Sequence, residues 1–269
     1  MAAGCRHEGG IEVNGKVRRG MVAVGLTAVV VGWSLPATAA SSRSNKAPTT
    51  VTCPQFAARN FSSRSTTINN PYLPLPVTTP ATKFIYDGKT KGHALHDVVT
   101  VTGQTKVLAG VTTVVVDDEV SLDNTPTEST LDYFAQDRAG NVWYFGEDST
   151  EIDKNGNTST GGSWHAGDPG AQPGFIMEAA PKVGDSYCQE NVPGVAQDEA
   201  QVVAVLSSFT LQSGTTYSNV LETKEFTPLE PGKTENKFYA PGVGEIESVA
   251  ITGGTEEQEL SCVTTATSC

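Results

Sequence analysis

Between Thr113 and Leu122 the chain alternates. Val114, Val116, Asp118, Val120 and Leu122 fall on one side of an extended strand, and four of the five are apolar. Runs rich in Val, Thr and aromatic residues recur at His96–Gly103, Val111–Leu122, Asn141–Glu147, Gln201–Ser207, Thr215–Phe226, Lys237–Ala240 and Ile246–Ile251. Turn-forming residues separate them at Asp137–Asn141, Asn155-Gly156, Ser213-Gly214 and Gly253-Gly254. No stretch sustains a helical period. Many strands at close spacing predict a mainly β, single-domain protein, either an antiparallel sandwich or an open (half) barrel. The segment Gly161–Gly174, with five glycines and two prolines, interrupts this rhythm and predicts a long structured loop of the kind that often carries function.

The first forty residues follow a different pattern. Lys16, Arg18 and Arg19 precede an uncharged apolar run, Met21 to Trp33, which ends near Pro36 and Ala37-Thr38-Ala39-Ala40. A basic region, a short apolar run and a small-residue exit describe a secretory signal peptide. Thirteen residues are too few to span a bilayer of ~30 Å hydrocarbon thickness. The expected organisation is a signal peptide at 1–39, a flexible Ser- and Thr-rich leader at 40–52, and one β-rich domain at 53–269, released as a secreted, extracellular protein.

Charge and cysteine content sharpen this picture. Lys plus Arg is 18 against 30 Asp plus Glu, a net charge of -12. Cleavage after Ala39 removes four of the basic and two of the acidic residues and takes the net charge to -14. Such an acidic chain without a basic stripe is not expected to bind nucleic acid or anionic lipid. Cys5 lies in the expected signal peptide, which leaves Cys53, Cys188, Cys262 and Cys269. An even count in an exported chain predicts two disulfides, with three possible pairings. The favoured set is Cys53–Cys188 with Cys262–Cys269, since the last two can close a small C-terminal loop.

Several residues are candidates for chemistry. Asp118 sits on the apolar face of its strand, where a carboxylate must be paired, hydrogen-bonded or protonated. Strict alternation places Trp143, Phe145 and Glu147 on one face of their strand and Val142 and Tyr144 on the other, so an aromatic wall with Glu147 at its rim is one way to build a ligand site. A hairpin at Asp137–Asn141 puts Tyr133 opposite Tyr144. Trp164 and His165 stand in the glycine-rich loop, where the indole can stack on a planar ligand or plug the end of a barrel. His93, His96 and His165 with Asp97 make a weak zinc pattern, because residues three apart on a strand face opposite sides. No metal or cofactor is expected. No Gly-x-Ser-x-Gly elbow and no phosphate-binding loop occurs, and a calcium-loop start at Glu151 meets Gly162 where a bidentate Glu is required.

Eight phrases taken together carry a resemblance: Asn70-Pro-Tyr-Leu-Pro-Leu75, Asp97–Gly103, Gly110–Thr113, Asp132–Asp137, Gly140–Asp148, Pro181–Tyr187, Phe226–Gly232 and Tyr239-Ala-Pro-Gly-Val-Gly244. Over Cys53 to Ile251 the chain resembles an uncharacterised family of exported bacterial β-rich proteins. The Tyr239–Gly244 phrase is also similar to the last strand of lipoprotein-carrier-like half-barrels. The resemblance implies export and a β fold, and it supplies no catalytic residues. The resulting expectation is a secreted binding module for a small apolar or sugar-like ligand, with Asp118, Tyr133, Trp143, Phe145, Glu147, Trp164 and His165 as candidate contacts. Two alternatives stand beside it: an extracellular hydrolase or lyase using carboxylates with His165 or Tyr187, and a structural or surface-interaction protein without a small ligand. Protein partners are not legible.

Overall fold

Three tight hairpins set the architecture. The computed structural model describes residues 51–266 and 269, so the expected signal peptide and the leader up to residue 50 lie outside the described residues. Lys91-Gly92, Ala109-Gly110 and Asp123-Asn124 all have positive φ. Two central residues of that kind twist a hairpin to match the right-handed twist of its strands. They join four long strands: β3 (Thr82–Thr90), β4 (His93–Leu108), β5 (Val111–Leu122) and β6 (Thr125–Gln136). A short pair, β1 (Ile68–Asn69) and β2 (Pro74–Leu75), precedes them. After them come β7 (Val142–Ile152) and five short pieces: β8 (Thr158–Ser159), β9 (Trp164–His165), β10 (Gln172–Met177), β11 (Ser186–Cys188) and β12 (Glu190–Asn191). A second meander closes the chain: β13 (Glu199–Thr210), β14 (Thr216–Phe226), β15 (Thr234–Ala240), β16 (Gly244–Thr252) and β17 (Glu257–Thr264). No α-helix occurs among the described residues.

All strands from β3 onward belong to one antiparallel sheet ordered β11-β13-β14-β15-β16-β17-β3-β4-β5-β6-β7-β10-β12, with β8 and β9 also on β7. The two ends of that path, β11 and β12, are separated in the chain by Gln189 alone. The sheet therefore curls until its edges almost meet, and forms a single domain that is nearly a closed barrel. Near-closure removes most of the open edge that a sheet of this width would otherwise expose.

The seam is clasped from outside. Thr52 bridges Tyr187, and Cys53 is disulfide-bonded to Cys188, so the segment before β1 runs along β11. It then places Phe56 and Phe61 against Trp143 and Phe145 of β7, with ring centroids 5.5–6.0 Å apart. Cys262–Cys269 is the second disulfide. Both pairings are those favoured from sequence.

The inner face carries both apolar and acidic side chains. On β5 and β6 the inward positions Val114, Val116, Asp118, Val120, Glu128, Thr130 and Asp132 are buried, while Glu119, Ser129 and Leu131 are exposed. Across the described residues ten carboxylic residues but only one cationic residue, Lys237, are buried. Lys237 lies 3.1 Å from Glu225 and 3.5 Å from Glu235. Burial pulls its ammonium down, but Glu225, Glu235 and Glu245 outweigh that and hold it well above the ordinary lysine range.

Candidate functional site

The inner acid network is built around a register shift. β6 and β7 pair as Asp132↔Glu147 and then as Phe134↔Tyr144, with an irregularity between. Gly146 has φ +124°, and a Cβ there would lie 2.1 Å from the carbonyl oxygen of Trp164. The bulge corrects the strict alternation expected from sequence. Glu147 shares the inner face with Tyr144, whereas Trp143 and Phe145 face outward under Phe56 and Phe61. It also corrects the aromatic partner: Phe134, not Tyr133, stacks on Tyr144, with centroids 5.0 Å apart.

The Tyr144 hydroxyl lies 2.6 Å from Asp132 Oδ1 and 3.1 Å from Glu147 Oε2. A phenol has one proton to give, so the second contact is satisfied when a carboxyl donates back. Burial pushes both Asp132 and Glu147 well above the carboxylate range, helped by Asp118 at Asp132 and by Glu190 at Glu147. Both shifts favour the protonated carboxyl, the form that can donate back. Asp118 belongs to this interior and pairs across the ladder with Val99 and Thr130. Trp164 enters from the loop, donates its indole N–H to Glu190 at 2.9 Å and stands edge-on to Tyr144. It is 4% exposed, so it plugs the interior and offers no stacking surface. This network has the chemistry of an acid pair without access for a substrate.

His165, next in the chain, turns the other way. Its Nε2 lies 2.9 Å from Asp148 Oδ1 and 3.0 Å from Lys106 Nζ. One ring nitrogen cannot donate to the first and accept from the second. Lys106 already donates to Asp148 Oδ2 at 2.9 Å and to the Tyr133 hydroxyl at 3.1 Å, so we assign Nε2–H to Asp148. Tyr133 donates to the same Asp148 oxygen. Partial burial raises the Asp148 carboxyl, but the hydrogen bonds from Tyr133 and Lys106 outweigh it and hold it below the usual range. Partial burial lowers Lys106, and Asp148 and Tyr133 reverse that. Tyr133 is raised, by burial first and then by Asp148. Each of these three groups is held in the charge state it would have in water at neutral pH. The cluster therefore acts as a clamp that ties the glycine-rich loop to β4, β6 and β7, and none of the three is poised to move a proton.

His93 and His96 do not join it. His93 bonds Asp123 and His96 bonds Asp87, each at 2.7 Å. Among the described residues no group of three or more His, Cys, Asp or Glu side chains stands in a metal-holding arrangement. Tyr187 is buried, and its hydroxyl has no hydrogen-bond partner.

A third feature escaped the sequence reading. β16 and β17 pair at only three positions, Glu247 to Val249. Beyond that short ladder, β2 and the residue before it lie over the inner face. Leu73, Pro74 and Leu75 form one wall of a crevice whose other sides are Phe84, Tyr86, Val99, Gly244 and Glu245. The crevice spans about 380 Å³ including its open mouth, with about 20 Å³ deep enough for a water-sized group. Asn70 anchors the wall by bonding the carbonyls of Gly140 and Glu178 and the amides of Tyr72 and Leu73. Gly242 N–H donates to Pro71 O, which ties the β15–β16 turn to the same wall. Glu245 is 8% exposed, and its Oε1 is buried without a hydrogen-bond partner. An orphaned buried acceptor of this kind costs about 1–3 kcal/mol. The signal was present in Leu73-Pro-Leu75, but nothing local says that Tyr86, Val99 and Glu245 meet there.

Fold and disulfides together define the class: a disulfide-bonded, nearly closed antiparallel β-barrel of the kind found in exported proteins. No family model matches the chain, and no curated protein matches it. Among solved structures, the chain is similar to the crystal structure at 2.70 Å resolution of a putative lipoprotein from Parabacteroides distasonis ATCC 8503. That similarity has a TM-score of 0.42 and 11% identity, and covers 71% of this chain and 97% of the other. A likeness of that degree assigns neither family nor function. No helix among the described residues is long and apolar enough to cross a membrane.

Proposed function

We propose that the protein is a secreted binding module that takes a small, largely apolar ligand in the crevice between Leu73–Leu75 and Tyr86, Val99 and Glu245. Residues 1–39 direct its export and residues 40–52 form a leader to the domain. One observation supports the binding reading: a small, mostly apolar crevice with room for about one water-sized group has a buried, unpartnered carboxyl oxygen among its lining residues. An apolar wall with one placed polar group is the usual anatomy of a small-molecule site. The Lys106 clamp gives less support to hydrolysis, because Lys106, Tyr133 and Asp148 are all electrostatically settled.

The test is a titration of ¹⁵N-labelled, non-reduced mature protein with 1-octanol, followed by amide shifts. Saturable shifts clustered at Leu73, Leu75, Tyr86 and Glu245 are expected. Shifts that do not saturate, or that cluster at Lys106 and His165, overturn the assignment. Native mass spectrometry of the secreted protein against its denatured mass adds a second readout, since a mass excess lost on denaturation identifies a tightly held endogenous ligand.

A further inference from the structure

We propose that the free edge of β13 pairs antiparallel with the same edge of a second copy, so that two barrels join through one continuous sheet.

The edge opens where β11 ends. Up to Val202 the far side of β13 is occupied: Ser186–Cys188 pair with Glu199–Gln201, and Val202 donates to the Asp185 carbonyl and accepts from the Gly184 amide. Beyond it, from Val203 to Thr210, β13 pairs with β14 alone among the described strands. Leu211 donates to the Thr215 carbonyl, so alternation turns the backbone groups of Ala204, Leu206, Ser208 and Thr210 away from β14. Val205, Ser207, Ser208 and Thr210 are exposed, which leaves this edge open to solvent.

The stretch reads Val-Ala-Val-Leu-Ser-Ser-Phe-Thr. It carries no charge and no proline, and its register with β14 is unbroken from Ala204 onward. Charges, prolines and bulges are the devices that keep sheet edges from pairing. Three other unpaired stretches do carry such devices. Thr102–Leu108 of β4 has a register shift around Gly103 and contains Lys106. Thr216–Val220 of β14 is kinked at Asn219, with φ +56°. Leu260–Thr264 of β17 has a register shift before Cys262, which is tied to Cys269.

The occupant must itself be an extended, uncharged strand with a free edge, and β13 of another molecule is one. Self-pairing sets two uncharged segments side by side, so bodies of net charge -12 meet where no like charges are opposed. One free edge is used up by one partner, so the contact is isologous and closes at two copies. A single strand pair lies at the small end of interface size, which makes the dimer reversible.

The experiment is sedimentation velocity and amide hydrogen exchange of the non-reduced mature protein from about 5 to about 500 µM, a range over which a reversible dimer changes population. A concentration-dependent dimer is expected, and salt tightens it by screening the repulsion between acidic bodies. Exchange slows with concentration at Leu206 and Ser208, whose amides face the partner, and not at Val205 and Phe209, whose amides face β14. Ser208→Pro removes one outward donor and weakens the dimer at least about tenfold. Ser218→Pro removes the matching outward donor from the cross-strand partner on β14, leaves the dimer intact, and controls for damage to the hairpin. Ser208→Lys keeps the amide but charges the edge, and repeats the test if a proline variant does not fold. A chain that stays monomeric throughout overturns the inference. So does a dimer that survives both Ser208 substitutions, or one protected elsewhere than at Leu206 and Ser208. Protection of these two amides at every concentration by a co-purified peptide gives the edge to another protein and overturns it as well.

Discussion

Gly146 decides where several of the candidate side chains point. With φ +124° and the Trp164 carbonyl 2.1 Å from the position of a Cβ, no other residue fits without moving β9. Because β9 pairs Gly146 with His165 and Glu147 with Trp164, this close approach sends Trp164 inward to Glu190 and His165 outward to Asp148. Gly146→Ala is expected to lower stability by at least about 3 kcal/mol, combining strain with displacement of the Trp164 plug. A urea midpoint within error of the parent would show that the loop does not cross β7 this closely. Asp148→Ala acts differently. It removes the acceptor shared by Lys106, Tyr133 and His165, but those groups are partly solvated, so the global loss is about 1 kcal/mol. Its clearer effect is local: amide exchange should speed up across Ser163–Ala171 and stay unchanged in β13–β17. Uniform acceleration throughout the barrel would rule out a clamp confined to the loop.

At the level of elements, legibility followed how local each determinant was. Val111–Leu122 was bounded in the sequence as it is in the structure, because a Gly-containing turn and an Asp-Asn turn flank a β-branched run with clean alternation. The hairpin turn at Asp137–Asn141 was readable for the same reason: the Asp137 carboxylate caps Ala139 and Asn141 within the turn. β17 was missed. Glu257–Thr264 is acidic and looks solvated, yet Gln258 and Leu260 turn inward against a strand some 170 residues away in the chain. Asp87-Gly88 reads as a turn but lies inside β3, where Gly88 lets Gln258 approach to 2.6 Å of a would-be Cβ. Glu147 was placed on the wrong face because a bulge is invisible to a period-two count. Of the candidate site, His165 and Tyr133 were legible as residues, but Lys106, Asp148 and the whole crevice depend on contacts between distant strands. The Cys53–Cys188 disulfide was a long-range contact that the sequence did disclose, and the two disulfides are expected to differ in weight. Cys53–Cys188 closes a separation of 135 residues and Cys262–Cys269 one of 7. Loop-closure entropy then assigns about 5 kcal/mol to the first and about 2 kcal/mol to the second. Paired Cys→Ala variants in guanidinium titrations check this, and equal losses would mean that the clasp of Phe56 and Phe61 holds the seam without its covalent tie.

The whole molecule is expected to be most stable in mild acid, because its buried and half-buried carboxyls store protons. Burial is the first cause in raising Glu178 and Glu247 to about 7 and Glu235 and Glu245 to about 8, and it carries Asp132 and Glu147 well above the ordinary range. The unfolded chain would release these protons near pH 4 to 4.5, at ordinary carboxyl values. Between there and about pH 8 the folded state therefore binds more protons than the unfolded state, and stability falls as pH rises. The opposing groups are Asp87, Asp123, Asp148, Asp153 and Glu257, whose pKa values are lowered. Their contribution is present above about pH 4 and is lost only in stronger acid, and their exposure keeps it small. The sum places the maximum near pH 4–5, followed by a decline that is steepest between about pH 5 and 7 and eases toward pH 8 as these groups lose their protons. A single buried Glu raised by three units contributes about 4 kcal/mol to that decline, which in a domain of this size moves the unfolding temperature by roughly 10 °C. Calorimetry of the non-reduced protein at intervals from pH 4 to 9 measures it directly. A Tm that is flat or rising from pH 5 to 8 would mean that these carboxylates, Glu235 and Glu245 among them, are already ionised and paired in the folded protein.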